Sequence, residues 1–398
     1  MSKIYDSKLL GELCDVLDRM RKPITKRNRV SGEFPYYGAT GILDYVESYI
    51  FDEKLVLIGE DGAKWGSGES TAFTAEGKYW VNNHAHVIRP HRDKILDGWI
   101  VYYLNHSDLS PFVTGLTVPK LNQAKLREIP IPIPPIAEQK RIVAILDEAF
   151  EGIDAAIANT EKNLANTREL FESYLNAIFT RKGDDWVEKK LESVCVVERG
   201  SSPRPIKQYL TNSPDGVNWV KIGDTQGIHK YIHSTKQRIT TEGAKKSRRV
   251  DPGDFILTNS MSYGKPYIMA TMGYIHDGWF VLRLDKAINT EFFYYLLSSR
   301  YVQEQFQTLA AGSVVKNISS DLVKRAILPI PPLSEQELIV ESVGQLVAET
   351  QRLETIYQQK LTALNELKQS ILQKAFSGEL TSEVGDAAGL GAKEVIAA

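Results

Sequence analysis

Cysteine is almost absent: 398 residues contain two, Cys14 and Cys195. A disulfide framework and a four-cysteine zinc site are therefore excluded. Buried strand thiols are the expected role of both. No run of about 18 uncharged apolar residues occurs, so no membrane-spanning helix is expected. The opening Met1-Ser2-Lys3-Ile4-Tyr5-Asp6 lacks the apolar core of a secretion signal, and a cytoplasmic location is expected.

Catalytic motifs are missing as well. Gly264-Lys265-Pro266 lacks the first glycine and the hydroxyl residue of a phosphate-binding loop. Gly66-Ser67-Gly68 is a lone Gly-x-Gly, and neither Pro-Pro pair has the Asn/Asp-Pro-Pro-aromatic order of an amino methyltransferase. Glu76-Gly77-Lys78 has the Glu-x-Lys form of metal-dependent nucleases but no clearly paired upstream aspartate. His84 with His86, and His229 with His233, lack carboxylate or cysteine partners at ligand spacing. No catalytic residue, metal or cofactor is expected in this chain.

What is present is a duplication. Gly115–Gln139 aligns without gaps on Gly312–Gln336, an offset of 197. The clearest part is Pro132-Ile133-Pro134-Pro135-Ile136-Ala137-Glu138-Gln139 against Pro329-Ile330-Pro331-Pro332-Leu333-Ser334-Glu335-Gln336. After each Pro-Pro, apolar residues recur in steps of three and four, from Ile142 to Ile178 and from Ile339 to Ala375, with Lys368 the one polar member of the second series. That period predicts two long helices with a coiled-coil seam. Proline fixes their starts after Pro135 and Pro332, and Ser334 with Glu337 reads as a capping box. Each helix should run about 40 residues, roughly 60 Å at about 1.5 Å per residue. An internal two-fold makes the pair antiparallel, with a globular unit at each end.

The predicted fold class is α+β. Two mixed, strand-rich globular units at 1–133 and 184–330 are separated by the long-helix segments 134–183 and 331–380, and 381–398 is expected to form a loose tail. Leu55-Val56-Leu57-Ile58 and Phe255-Ile256-Leu257 read as buried strands. Trp99–Leu104 and Phe292–Leu297 read as aromatic helices that close the two units.

The net charge of −2 conceals unlike pieces: +5 over 184–331 and −5 over 332–398. A local basic face suffices for a nucleic-acid partner. Arg19, Arg21, Lys22, Lys26, Arg27 and Arg29 cluster in the first unit, and Lys245, Lys246, Arg248 and Arg249 in the second, joined by Arg204. Such groups can neutralise phosphates. Asn82, Asn83 and His84, and Asn259, Ser260, Tyr263 and Lys265, can read base edges.

With these residues in hand, the sequence resembles the specificity subunits of type I restriction–modification systems. The resemblance rests on the doubled Ile-Pro-Pro-Ile/Leu-x-Glu-Gln element, each copy followed by a long helix, and on Phe376-Ser377-Gly378-Glu379-Leu380-Thr381 near the end. Pro35-Tyr36-Tyr37-Gly38-Ala39-Thr40-Gly41, Leu57–Gly62, Trp219–Asp224 and Gly253–Leu257 resemble recognition-domain patterns. The resemblance implies a non-catalytic subunit that reads a bipartite sequence in double-stranded DNA. Its partners would be two modification (methyltransferase) subunits using S-adenosylmethionine and restriction subunits using ATP and Mg. A coiled-coil scaffold that never touches DNA is the alternative, and a nuclease working through Glu76 and Lys78 is a third reading.

Overall fold

The computed structural model describes residues 5–115, 117–259, 264–311 and 319–381. Ser260, Tyr263, the start of the second repeat at Gly312 and the tail 382–398 lie outside the described residues. The chain divides into two compact units, residues 1–162 with 357–398, and residues 163–356. Both boundaries fall within the long helices, which span Ile136–Thr180 and Leu333–Ser377, 45 residues each.

In the first unit, one antiparallel sheet has the strand order Cys14–Val16, Ala85–Pro90, Leu55–Gly59, Ala72–Ala75. A second has the order Gly41–Val46, Ser31–Gly38, Lys78–Val81, Phe51–Asp52, with Ser31–Gly38 and Lys78–Val81 parallel. The strand Leu55–Gly59 explains its own composition. Successive side chains point to opposite faces. Val56 and Ile58 join a core with Trp99, Ile142 and Leu146. Leu55 and Leu57 join another with Phe51, Tyr79 and Val81. Both faces are covered, so the strand is apolar throughout.

The second unit repeats this plan. One sheet has the order Cys195–Arg199, Trp279–Leu284, Phe255–Thr258, Pro266–Met269, Tyr231–Ile232. The other has the order Leu210–Thr211, Gln237–Ile239, Val217–Val220, Gly273–Ile275, Arg248–Val250. Phe255 and Leu257 pack with Phe292, Phe293, Phe179 and Val343, while Ile256 packs with Val220 and Trp279 on the opposite face. Again one parallel pair, Val217–Val220 with Gly273–Ile275, sits inside an otherwise antiparallel arrangement.

Each unit contains part of both helices, and in each the two run antiparallel. In the first, Lys368 Nζ lies 2.9 Å from Asp154 and 4.8 Å above the Phe150 ring, which accounts for the polar member of the seam. In the second, Arg168 meets Glu354 at 2.6 Å and the Tyr174 hydroxyl meets Ser342 at 2.6 Å. Numbers fall along one helix as they rise along the other. The expected capping box at Ser334 does not form, because the helix begins one residue earlier, at Leu333. The Pro332 carbonyl accepts the first-turn amides of Glu335 and Gln336, as Pro135 does for Glu138 and Gln139.

The repeated Glu-Gln has a specific use. Gln139 is fully buried; its Oε1 accepts from Leu96 N at 3.0 Å, and its Nε2 donates to the carbonyls of Lys94 and Pro134, both at 2.9 Å. Leu96 directly precedes the helix Asp97–His106. Gln336 likewise accepts from Asn289 N at 2.8 Å, directly before the helix Thr290–Ser298, and donates to Pro331 at 2.9 Å. One buried amide in each unit thus pins the start of the aromatic helix to the start of the long helix.

Candidate nucleic-acid interface

Equivalent turns sit at one end of the sheets in each unit. In the first unit, Asn82-Asn83-His84 joins the strand Lys78–Val81 of one sheet to Ala85–Pro90 of the other. In the second, His276-Asp277-Gly278 joins Gly273–Ile275 to Trp279–Leu284 in the same way. The basic candidates divide between those that hold these turns and those that face outward.

Arg21 holds a turn. Its guanidinium bonds Glu60, donates to Ala85 O at 2.7 Å and lies 3.4 Å from Asp18. Its side chain is 12 % exposed. Its donors are committed inside the protein. Arg29 is also engaged: it stacks on Tyr36 at 4.5 Å, donates to Ile24 O at 3.1 Å and pairs with Asp44 at 3.2 Å. Lys22, Lys26 and Arg27 are exposed beside them, the last two on the short helical turn Lys26–Asn28.

Asn82 is 3 % exposed, and its Oδ1 accepts from His84 N at 2.8 Å. It shapes the turn. Asn83 and His84 are exposed, and the His84 ring bonds Asp61. Behind the turn, Asp18, Glu60 and His86 form a cluster whose ligand-type atoms lie within 4.8 Å of one another. The donor set does not call for a metal ion, since Arg21 and Lys120 (2.7 Å from Glu60) already supply two positive charges. His86 Nδ1 faces Asp18 at 2.6 Å and Nε2 faces the Leu121 carbonyl at 2.7 Å. Burial pushes the Asp18 carboxyl up, but the His86 bond, the His86 charge, the Val87 amide and Arg21 together hold it below the usual range.

In the second unit, Asp277 is the hub. Ser202 donates to its carboxylate at 2.5 Å and Arg204 lies 3.6 Å away; Asn259 Nδ2 donates to its carbonyl at 2.6 Å and Arg199 at 3.3 Å. The Ser202 bond outweighs partial burial and holds the Asp277 carboxyl low, with the neighbouring histidine and Arg204 adding to it. Asn259 is 2 % exposed and committed to this turn, as Asn82 is to its own. Arg204 is 83 % exposed and points out. Ser201 Oγ donates to Lys246 O at 3.2 Å, which brings the basic run to the same end. Lys246 lies 4.7 Å over the Tyr209 ring, Lys245 pairs with Glu242 at 3.3 Å, Arg248 with Glu198 at 2.9 Å and Arg249 with Asp251 at 2.7 Å; all four remain exposed. Lys265 is exposed, 5.4 Å over Tyr267. Glu76 and Lys78, the nuclease alternative, are engaged separately, with Lys54 at 3.6 Å and over Tyr49 at 4.9 Å.

Sequence reasoning missed Asp18, Glu60, Asp61, Lys120, Ser202 and Asp277, none of which stands in a basic run. The available signal was positional, since each turn falls between two apolar strands of the repeated frame.

Comparisons with known proteins agree with this doubled plan. The family model described as "Type I restriction modification DNA specificity domain" matches twice, over residues 3–165 and 183–363. A putative type I restriction enzyme specificity subunit of Haemophilus influenzae is 30% identical over 346 residues, covering 84% of this chain and 85% of its own. The EcoKI specificity subunit of Escherichia coli K12 is 26% identical, covering 84% and 76%. A solved structure concerning complex assembly and conformational transition of the type I R-M system superposes with a TM-score of 0.74 at 18% identity, covering 96% of this chain and all of that one. The HsdS subunit of Thermoanaerobacter tengcongensis superposes at 0.54 and 18% identity, covering 95% and 97%. Among the described residues no helix is long and apolar enough to cross a membrane. The chain belongs to the type I restriction–modification DNA specificity subunits, the non-catalytic members of those systems.

Proposed function

We propose that the two units read the two unlike halves of a bipartite DNA sequence, and that the long helices set the spacer between the halves. The observation that carries this reading is the pair of equivalent turns: one frame, repeated, displays Asn83 and His84 in one unit and Asp277 in the other. In the first unit Lys22, Lys26 and Arg27 contact phosphates. In the second Arg204, Lys245, Lys246, Arg248, Arg249 and Lys265 do so. These contacts position each unit, and the turn residues carry the sequence preference. A carboxylate such as Asp277 accepts from a cytosine amino group, whereas an imidazole such as His84 can donate to a purine.

Residues 1–133 and 184–330 are the recognition domains in this reading, and 134–183 and 331–380 the spacer helices. The helices also dock two methyltransferase subunits, which supply S-adenosylmethionine and methylate adenine; restriction subunits supply ATP and Mg chemistry. The −5 charge of residues 332–398 suits that surface to protein partners more than to phosphate. The assembly works in the cytoplasm.

Methylome sequencing of the host with and without this gene tests the proposal. A split adenine motif that disappears with the gene is expected; an unchanged methylome would overturn it. The spacer role has its own test. Deleting one heptad from each helix removes about 10 Å, so the tolerated spacer should shorten by about three base pairs at ~3.4 Å each. Unchanged spacer preference refutes the role of the helices.

A further inference from the structure

The first unit carries a feature without a counterpart among the described residues of the equivalent strand in the second. The hairpin Ser31–Gly38/Gly41–Val46 lies at the edge of its sheet, and its outer strand begins Ile42-Leu43. Ile42 is 46% exposed and Leu43 53%. Tyr36 pairs with Asp44 and Tyr37 with Ile42, so Leu43 is the extra residue of a β-bulge at the tip, where ladder pairing is interrupted and side chains are re-aimed. Two large aliphatic side chains in water at a hairpin tip contribute nothing to the core of their own unit.

The surroundings identify the occupant. A Cβ on Gly38 would fall 2.4 Å from Leu43 Cδ1 and 3.4 Å from Asn82 Nδ2, so the bare glycine lets the tip lie directly against the Asn82–His84 turn. On its other side the tip reaches the loop that holds Asp61, since a Cβ on Gly59 would lie 3.1 Å from Ala39 O. Arg29 ties the hairpin to the basic segment through Asp44 and through its stack on Tyr36. Lys26 and Arg27 therefore stand at a fixed place beside the apolar tip. An apolar point flanked by cations and next to a candidate reading turn is complementary to duplex DNA, with phosphates outside and stacked bases within. In the second unit the corresponding strand is Gln237–Ile239, whose exposed residue is Arg238, and no apolar tip stands there.

We propose that Ile42 and Leu43 form a wedge that enters the groove and partly unstacks one base step in the half-site read by the first unit. This rests on the DNA-reading role proposed above. The wedge makes that half-site sensitive to how easily one step opens, a preference exerted without hydrogen bonds to the bases.

The test uses the chain assembled with its modification subunits and duplexes carrying the methylated motif. A single mismatch is moved step by step through the half-site. A mismatch at the wedged step removes the stacking that the wedge must break, so the wild type should bind that duplex about tenfold more tightly than the matched one. The I42S/L43S variant should show no gain at that step, and the conservative I42V/L43M variant should keep it. The proposal is overturned if no mismatch helps the wild type, or if every mismatch that helps it helps I42S/L43S equally. Failure of the DNA-reading role would look different: neither protein would then distinguish the motif from random duplex.

Discussion

Truncating Gln139 to alanine tests whether the repeated Pro-Pro-x-x-Glu-Gln element is a structural clamp. The wild-type amide makes three bonds of 2.9–3.0 Å from a fully buried position. Q139A leaves the Leu96 amide and the Lys94 and Pro134 carbonyls without that partner. A buried group left unsatisfied costs about 1–3 kcal/mol, less for carbonyls that retain other partners. The loss should be about 3–4 kcal/mol, and about 2 kcal/mol for Q336A, whose amide makes two such bonds. At about 2–4 °C per kcal/mol for a unit of this size, Q139A should lower the melting temperature of the first unit by roughly 6–16 °C. Thermal melts measure the loss, and hydrogen exchange at 97–106 against 290–298 assigns it to a unit. Q139E provides the chemical control. It keeps the acceptor for Leu96 but turns a carboxylate on two carbonyls, so it should be at least as damaging at neutral pH and partly recover where the carboxyl protonates. A Q139A loss under about 1 kcal/mol, or a neutral Q139E, refutes the clamp.

The outward and inward arginines should separate in one experiment: K26E/R27E should reduce the salt slope of DNA binding by about two phosphates without altering stability, whereas R21A should destabilise the first unit by roughly 1.5–3 kcal/mol, because Glu60 keeps Lys120 and Asp18 keeps His86 but both lose the guanidinium. Binding titrations at several salt concentrations and urea melts distinguish them, and a stable R21A with a reduced slope would reverse the assignment. Asp18 should shape the acid limb of stability: its carboxyl titrates lower folded than unfolded, so its contribution is complete above the unfolded value near 4 and is lost as pH falls through the folded value. D18N should flatten that limb in acid melts, and an unchanged limb would show that Asp18 does not carry it. Burial pushes both thiols, Cys14 and Cys195, up to about 12, so a thiol reagent at pH 8 should label neither in the native protein and both after unfolding.

The frame was legible in the sequence because it is built from periodic signals. A proline pair cannot continue a helix backwards, and a heptad over many turns has few other uses, so both long helices followed from Pro135, Pro332 and the residues behind them. The doubly buried strands at Leu55 and Phe255 were legible for the same reason, as unbroken apolar runs. The interface was legible only in outline. Charge runs mark where cations are dense along the chain, but not which of them are satisfied. Arg21 and Lys22 are adjacent, yet one donates inward to Glu60 and Ala85 while the other is exposed. Their difference depends on Glu60, which is 39 positions away and carries no local mark. The turn-holding bonds of Asn82 and Asn259 were illegible for a related reason: a short polar side chain at a strand end can satisfy the backbone of its turn, and nothing in the local sequence marks that partner.

The separation of clamp from turn bears on how such a chain can change what it reads. Gln139 and Gln336 act on helix starts, and the doubly apolar strands act on cores that flank them. None of these residues reaches the turn at Asn82–His84 or at His276–Gly278. The turns are held instead by their own local polar sets: Arg21 with Glu60 and Asp18 in one unit, Ser202, Arg199 and Arg204 with Asp277 in the other. These two sets share no residue type at equivalent places except arginine, although the strands that they join are equivalent. A turn can therefore be exchanged together with its local brace while the apolar frame and both clamps stay fixed. An exchange of the turn alone, without its brace, would leave Asp61 without His84 in the first unit and Arg204 without Asp277 in the second.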